Sequence, residues 1–255
     1  FAFTRGRLST KGFAFGDILH VAQSQYHDIA VARHDAVKHD DGVRVGYWRA
    51  VSHNMNAFAN ESFVDEMALA AGKDPVEYRM AMLEGKPRFQ NVLKLATEKA
   101  GYKKGAAKGN AMGVSIMEGY DTYVAVVTEV SLGADGEVKV VKATVAADMG
   151  MIVNPEIVEQ QIQSSVIMGT GTTLKHSITL QNGRVQQTNF NTYPMVRTNE
   201  SPLVSIVLVK SSEKPGGIGE PVTAAIVPAL ANAVAKLTGK RVRTLPITGK
   251  AIQQA

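Results

Sequence analysis

Few side chains in this sequence stand where they could do chemistry, and the clearest is Glu220. It follows three glycines in four residues, Gly216-Gly217-Ile218-Gly219, and it precedes Pro221. Proline suits the first position of a helix, where its missing N–H is not needed. An alanine-rich run from Val222 to Leu237 follows and stops at Gly239. Glu220 is therefore predicted at the mouth of a helix. Glutamate is a poor cap beside Ser, Thr, Asp or Asn, so its carboxylate is left for another task. A helix N-terminus favours a negative charge, and an ionised carboxylate is what a general base must be. The bare glycine backbone would let a large flat ligand approach closely. Taken alone, the motif is also an ordinary glycine turn with an exposed glutamate.

Other candidates are weaker. Arg49 closes Gly46-Tyr47-Trp48-Arg49, which holds the only tryptophan; by itself it reads as a surface arginine and Trp48 as core. Gln161 sits with Gln160 and Gln163 near the start of a helix after Asn154-Pro155. His27, His34 and His39 lie beside Asp28, Asp35, Asp40 and Asp41, but their spacing fits no common metal-ligand pattern. No metal ligands are assigned. His53 could face a pocket and reads more simply as structural. Cysteine is absent, which excludes a disulfide scaffold, a thiolate nucleophile and cysteine-ligated zinc or iron–sulfur sites within these residues.

The elements that must position Glu220 follow from patterning. Phe1, Phe3, Phe13 and Phe15 suit extended segments. A helix is expected over 57–71, capped by Asn54 or Asn56, with Phe63, Met67 and Ala70 on one stripe. Asp74-Pro75-Val76-Glu77 is a helix start, with Asp as cap and Pro first; that helix runs to about Glu84. Another covers 88–100 and stops at Gly101. Residues 101–110 form a basic loop. From Ala111 the period becomes two: Thr122 to Val130, a turn at 133–136, and Val138 to Ala146 make a hairpin. A long helix runs from Asn154-Pro155 to about Leu174. Ile178 to Leu180 and Val185 to Phe190 flank Asn182-Gly183, a second hairpin. Ser205 to Lys210 is a strand. Pro228 should kink the last helix or delay its start. The class is α+β, with antiparallel hairpins, a mixed sheet and packed helices. A boundary is placed between 1–110 and 111–255.

Composition sets the frame. The chain has 255 residues, 45% apolar and 20% charged, with a net charge of +5. That suffices for a large core. The basic charges are dispersed except at Lys103, Lys104 and Lys108, without interleaved aromatics, so nucleic acid is not an expected partner. The sequence has no unbroken run of 18 or more apolar residues, so no membrane span is expected. The first 30 residues lack the layout of a signal peptide, and a start at Phe1 suggests a piece of something longer. Periplasm and cytoplasm both stay open.

Gly216-Gly-Ile-Gly-Glu220-Pro221, followed by Ile226, Pro228-Ala229, Ala231-Asn232-Ala233 and Thr238-Gly-Lys-Arg-Val-Arg243, resembles the molybdopterin-binding large subunit of the xanthine dehydrogenase/aldehyde oxidase family of molybdenum hydroxylases. The nearest type is the isoquinoline 1-oxidoreductase β-subunit, a group that includes aldehyde dehydrogenases. Gly46-Tyr-Trp-Arg49 with Asn56-Ala-Phe and Glu61-Ser-Phe resembles the family's arginine segment. Asn154-Pro155, Gln161 and Gly169 resemble its cofactor-side helix, and Gly183-Arg-Val, Asn189-Phe and Tyr193-Pro its late hairpin. The resemblance spans about residues 27–250. It implies oxidation of an aldehyde or N-heteroaromatic compound, with water as the oxygen source and hydride passing to a sulfido ligand. It implies a molybdopterin-type cofactor, in a cytosine dinucleotide or other form, and [2Fe-2S] clusters in a small partner subunit, with a c-type cytochrome as a further partner. Glu220 matches the general base and Arg49 the arginine that steers substrate. Gln161, Gly217, Ile218 and Gly219 match cofactor-side positions. Trp48, Ile116 and Met117 are assigned to the substrate pocket.

Two departures matter. Gln163-Ser164-Ser165 replaces the Glu-Gly-Gly usual in relatives, and Ser52-His53-Asn54-Met55 stands where glycine and serine are common. The family's Gly-Gln-Gly pterin motif is absent. Half the cofactor site is therefore expected from the remaining N-terminal part of the subunit, and this chain alone should be inactive. The alternative is a non-catalytic scaffold or assembly module that has lost the pocket.

Overall fold

The computed structural model describes residues 46–104 and 109–255. The phenylalanines and histidines of the first 45 residues, and Lys108, lie outside them. Three helices come first: α1 (His53–Ala70), α2 (Pro75–Met82) and α3 (Pro87–Ala100). Strands β1 (Asn110–Gly119), β2 (Thr122–Leu132) and β3 (Val138–Asp148) follow, then α4 (Pro155–Leu174). The two-residue strands β4 (Leu180–Gln181) and β5 (Arg184–Val185) precede β6 (Leu203–Leu208), α5 (Pro221–Thr238) and α6 (Gly249–Gln254).

The sheet has the order β1-β2-β3-β6, antiparallel except for the parallel β3–β6 pair. This is the mixed sheet with packed helices that the patterning predicts. Alternation along the strands splits the core in two. Val124, Val126, Val145 and Met117 join α4 and α5. Ala125, Val127, Val114 and Ile116 face the other way, toward Phe89, Val92 and Leu93 of α3. Residues from both sides of position 110, Val64 and Leu83 with Val114 and Ala125, share that second cluster.

Local signals explain most helix ends. Asp74 accepts from the amides of Val76 and Glu77, and Asn154 from that of Ile157, each before a proline. Gly101 and Gly239 close α3 and α5 in the left-handed conformation. Asn182 (φ 51°) and Gly183 (φ 74°) form the second hairpin's turn, although its strands are two residues each instead of the longer ones expected. Neither Asn54 nor Asn56 caps α1. Its N-cap residue is Ser52, which makes no side-chain cap bond.

α5 is the central helix. It has the length and mean hydropathy (1.3) of a membrane span, yet every residue from Pro221 to Val234 is buried in this fold. Pro228 lies inside it and does not delay its start, which is at Pro221. Ser115 of β1 donates to the carbonyl of Ala225, 2.5 Å away, and so ties the strand to the helix. Gly113 lets the strand touch the helix: a Cβ there would stand 2.2 Å from Ala229 O and Ala233 N.

α1 is anchored by charge. Arg79 and Glu61 are both fully buried, with Nε 3.0 Å from Oε2. Glu61 Oε2 also accepts from the amide of Ile116. Asn232 of α5 donates to the carbonyl of Glu61.

Candidate active site

Glu220 is the N-cap residue of α5, and its carboxylate makes no capping bond. Oε1 accepts instead from the backbone N–H of Ala50, 2.9 Å away. The backbone that delivers this amide is strained. Ala50 (φ 74°) and Val51 (φ 46°) are both left-handed, a region costly for side chains and most of all for a β-branched one. The turn is held by Val51 N–H to Trp48 O (2.8 Å) and His53 N–H to Ala50 O (2.9 Å). Asn54 also donates to the Arg49 carbonyl at 2.6 Å. That is its use, in place of the helix cap expected of it.

From this turn Arg49 reaches across the glycine loop. Nε donates to Gly219 O at 2.6 Å. One terminal nitrogen donates to Ser164 Oγ at 2.8 Å, and the other to Gln161 Oε1 at 3.0 Å and Gln161 O at 3.3 Å. The planar fork thus ties the turn, α4 and the loop together. Burial lowers the guanidinium from its usual range, and the Glu220 charge offsets part of this.

The glycine loop is pinned from beneath. Gly216 N–H donates to Met149 O and Gly217 N–H to Tyr120 O. A Cβ on Gly216 would meet Asp121 O at 2.6 Å and Thr122 Oγ1 at 2.7 Å. That glycine is needed for approach to another stretch of backbone, not to a ligand. Ile218 packs its side chain on the core cluster under α5. Around Gly219 the space is open: a Cβ there would meet only Gln161 Oε1, at 3.8 Å.

Glu220, Arg49, Gln161 and Gly219 are therefore brought together, with Gly217 and Ile218 in the same loop. Trp48 is 42% exposed. It lines an open cavity of about 410 Å³ with Ile178, Asn189, Phe190 and Tyr193. Behind it, His176 stacks on Tyr193 (4.9 Å) and meets Trp48 edge-on (6.0 Å). Burial, and then Lys175, lowers its imidazole from the usual range. Met117 is buried beside the site, in the cluster that includes Ala50. Ile116 is not brought in. It is fully buried on the α3 face of the sheet, because a strand turns successive residues to opposite faces.

Two participants escaped sequence reasoning. Ser164 belongs to a departure from the family pattern, and nothing in the sequence marked its hydroxyl as an acceptor for Arg49. Tyr120, in the turn between β1 and β2, accepts at its carbonyl from Gly217 N–H; burial first and the Glu220 charge second push its phenol up to about 12. Gly119-Tyr120-Asp121 between two strand patterns was the available signal. Among the described residues, no group of three or more His, Asp or Glu could hold a metal ion.

Comparison with known proteins bears on this arrangement. A model of the molybdopterin cofactor-binding domain matches residues 31–202. The chain is 32% identical to the beta subunit of isoquinoline 1-oxidoreductase from Brevundimonas diminuta, over 87% of this chain and 29% of that protein. It is 32% identical to a nicotinate dehydrogenase subunit of Pseudomonas putida, over 95% of this chain and 22% of that one. The chain thus spans under a third of these relatives. In fold it is similar to quinoline 2-oxidoreductase from Pseudomonas putida 86, with a TM-score of 0.72 at 13% identity, covering 82% of this chain and 53% of that one.

Proposed function

Because this chain belongs to the molybdopterin cofactor-binding domain family of the xanthine dehydrogenase-type molybdenum hydroxylases, we propose that it supplies the general-base half of such an oxidoreductase's active site, with Glu220 as the base. The residues present fit the cofactor. The sequence has no cysteine and no group of three or more His, Asp or Glu among the described residues could hold a metal ion, so a metal here would be carried by the cofactor's own ligands. The open backbone around Gly219 and the polar exposed face of α4 offer amide groups to a flat polar heterocycle. Gln161 and the main chain of Gly217 to Gly219 would hold it. When bound, the cofactor supplies a metal centre that accepts two electrons from substrate while water provides the oxygen.

This chain's own residues do the rest. The Ala50 amide fixes one oxygen of Glu220, which leaves Oε2 to take up a proton. Arg49 is engaged by four acceptors. It therefore acts here first as a strut between loop and helix, and its steering of substrate is secondary. Trp48 and the cavity beside it offer a surface for a planar substrate.

An N-heteroaromatic compound or an aldehyde is the substrate class that the relatives' names support. A separate [2Fe-2S] subunit, a c-type cytochrome and a cytosine dinucleotide form of the cofactor belong to the same proposal. So does the contribution of the rest of the molybdenum subunit, in keeping with a chain that spans under a third of its relatives. The observation that carries the reading is the convergence of Glu220, Ala50 and Arg49 at an open glycine loop. It is tested by metal and pterin analysis of the assembled enzyme, with turnover of an aldehyde and of an N-heterocycle. One molybdenum per complex with turnover of either supports it; a complex free of molybdenum refutes it.

A further inference from the structure

We infer that the substrate of this site is an uncharged planar molecule and not a carboxylate-bearing one, and that Ser164 sets this preference by keeping the Arg49 fork from receiving an anion. The inference rests on the substrate reading above and narrows its class.

The Arg49 guanidinium is already occupied by the protein. Nε donates to Gly219 O at 2.6 Å, one terminal nitrogen to Ser164 Oγ at 2.8 Å, and the other to Gln161 Oε1 at 3.0 Å and Gln161 O at 3.3 Å. A carboxylate is grasped by two parallel N–H groups on neighbouring nitrogens of one fork. All three nitrogens here hold acceptors, so an anion would have to displace groups that the chain itself supplies. Gly219 O and Gln161 O belong to the main chain, and the Gln161 side chain is assigned to the cofactor. Ser164 is therefore the acceptor whose removal would open an edge of the fork.

The cavity beside the fork points the same way. Trp48 adjoins Arg49 in sequence and lines it, and its polar lining, Gln187, Thr188 and Asn189, is uncharged. Asn189 Oδ1 accepts from the amide of Phe190 at 2.8 Å, which leaves the side-chain NH2 as a donor suited to a ring nitrogen or a carbonyl oxygen. His176 meets Trp48 edge-on and stacks on Tyr193, with both ring nitrogens buried and without a hydrogen-bond partner among the described residues. Burial lowers its imidazole, so the ring serves as a neutral wall. The neighbouring Lys175 is held by Glu200 at 2.5 Å. His176 rests on Gly171 of α4, where a Cβ would stand 2.6 Å from its ring. Gly171 lies about 10 Å beyond Ser164 along one face of that helix, so a planar compound seated on Trp48 comes within reach of the Arg49 fork. A carboxylate there would be desolvated beside a fork with no edge to offer it, which is costly. An uncharged ring or carbonyl asks nothing of the fork.

The test uses the full assembled enzyme and two unreactive planar ligands of equal size, benzamide and benzoate, with binding followed by equilibrium dialysis. Benzamide should bind about tenfold or more tightly, the scale of a charge left without its hydrogen bond. Benzoate binding as tightly as benzamide, or binding of neither, overturns the inference. Ser164→Ala opens one edge of the fork and should lower the benzamide-to-benzoate preference by about three- to tenfold, the scale of one hydrogen bond. A preference equal to the wild type overturns the role of Ser164. If the alanine variant does not assemble, Ser164→Cys, whose thiol is only a weak acceptor, takes its place with the same expected direction. In turnover the preference should return as a higher kcat/KM for benzaldehyde than for para-formylbenzoate, and the reverse order overturns it. If the complex lacks molybdenum or turns over neither aldehyde the parent reading falls, while the dialysis independently reports the choice between neutral and anionic ligands.

Discussion

The buried Arg79–Glu61 pair makes the strongest demand on stability, and its removal has a worked expectation. Arg79→Met keeps an unbranched side chain in the same space and deletes the guanidinium. Lost with it are the 3.0 Å contact to Glu61 Oε2, the 2.8 Å bond to Glu61 O, the 3.1 Å bond to Pro75 O and the 3.7 Å approach to Asp65. The Glu61 carboxylate stays fully buried without that cation. Breaking a buried pair from one side costs about 3–5 kcal/mol, against a total stability of about 5–15 kcal/mol for a domain. Glu61→Gln together with Arg79→Met removes the charge while keeping an acceptor for the Ile116 amide. The double variant should therefore be more stable than Arg79→Met alone. Urea unfolding followed by the fluorescence of Trp48, the single tryptophan, measures both. A loss below about 1 kcal/mol for Arg79→Met, or strict additivity in the double variant, would refute the reasoning. The pair matters to the site because α1 begins directly after the turn that presents Arg49 and Ala50.

Further expectations are more local. Gly216→Ala places a methyl 2.6 Å from the Asp121 carbonyl; the main chain must shift, at a cost of about 1–3 kcal/mol, and turnover should fall further than the thermal midpoint suggests. Asp148 is held by Arg88 at 2.7 and 2.8 Å. That hydrogen bonding, and then the Gly150 amide, outweighs burial and keeps its carboxyl below the usual carboxylate range. Its folded value is thus below its unfolded one. The stability it contributes is complete above the ordinary carboxylate range and is lost as pH falls through the folded value. Asp148→Asn should consequently lower the urea midpoint at pH 7 and make little difference well below about pH 4. An equal penalty at both pH values would contradict the assignment.

What was legible in the sequence was mostly what short-range chemistry dictates. Asp74, Asn154 and Pro221 announced three helix starts, because capping and proline geometry act within a few residues. Glu220 was legible as a carboxylate not needed for capping, and Glu220 indeed spends its oxygen elsewhere. The strained turns were not legible. Alanine and valine carry no signal for left-handed backbone, and their conformation is imposed by Asn54, by burial of Ala50 and by the bond to Glu220, all of them tertiary. Ile116 was misplaced through a one-residue matter of strand phase, since its neighbour Met117 lies on the loop's side of the sheet. Pro228 did not delay the start of α5, because Pro221 already fills the first helical position and the helix runs through Pro228 buried in the core. The bare glycine loop reads as room for a ligand, but at Gly216 the room is taken by the main chain of the β1–β2 turn.

The central claim is that Glu220 removes a proton at a molybdenum cofactor held against its loop. It is tested most directly by Glu220→Gln in the assembled enzyme, a change of one oxygen to an amide in a side chain that makes no capping bond. With molybdenum and pterin content equal to the wild type, turnover should fall by roughly 10²–10⁴, the usual contribution of a positioned base. Near-normal turnover at full cofactor content would contradict the account.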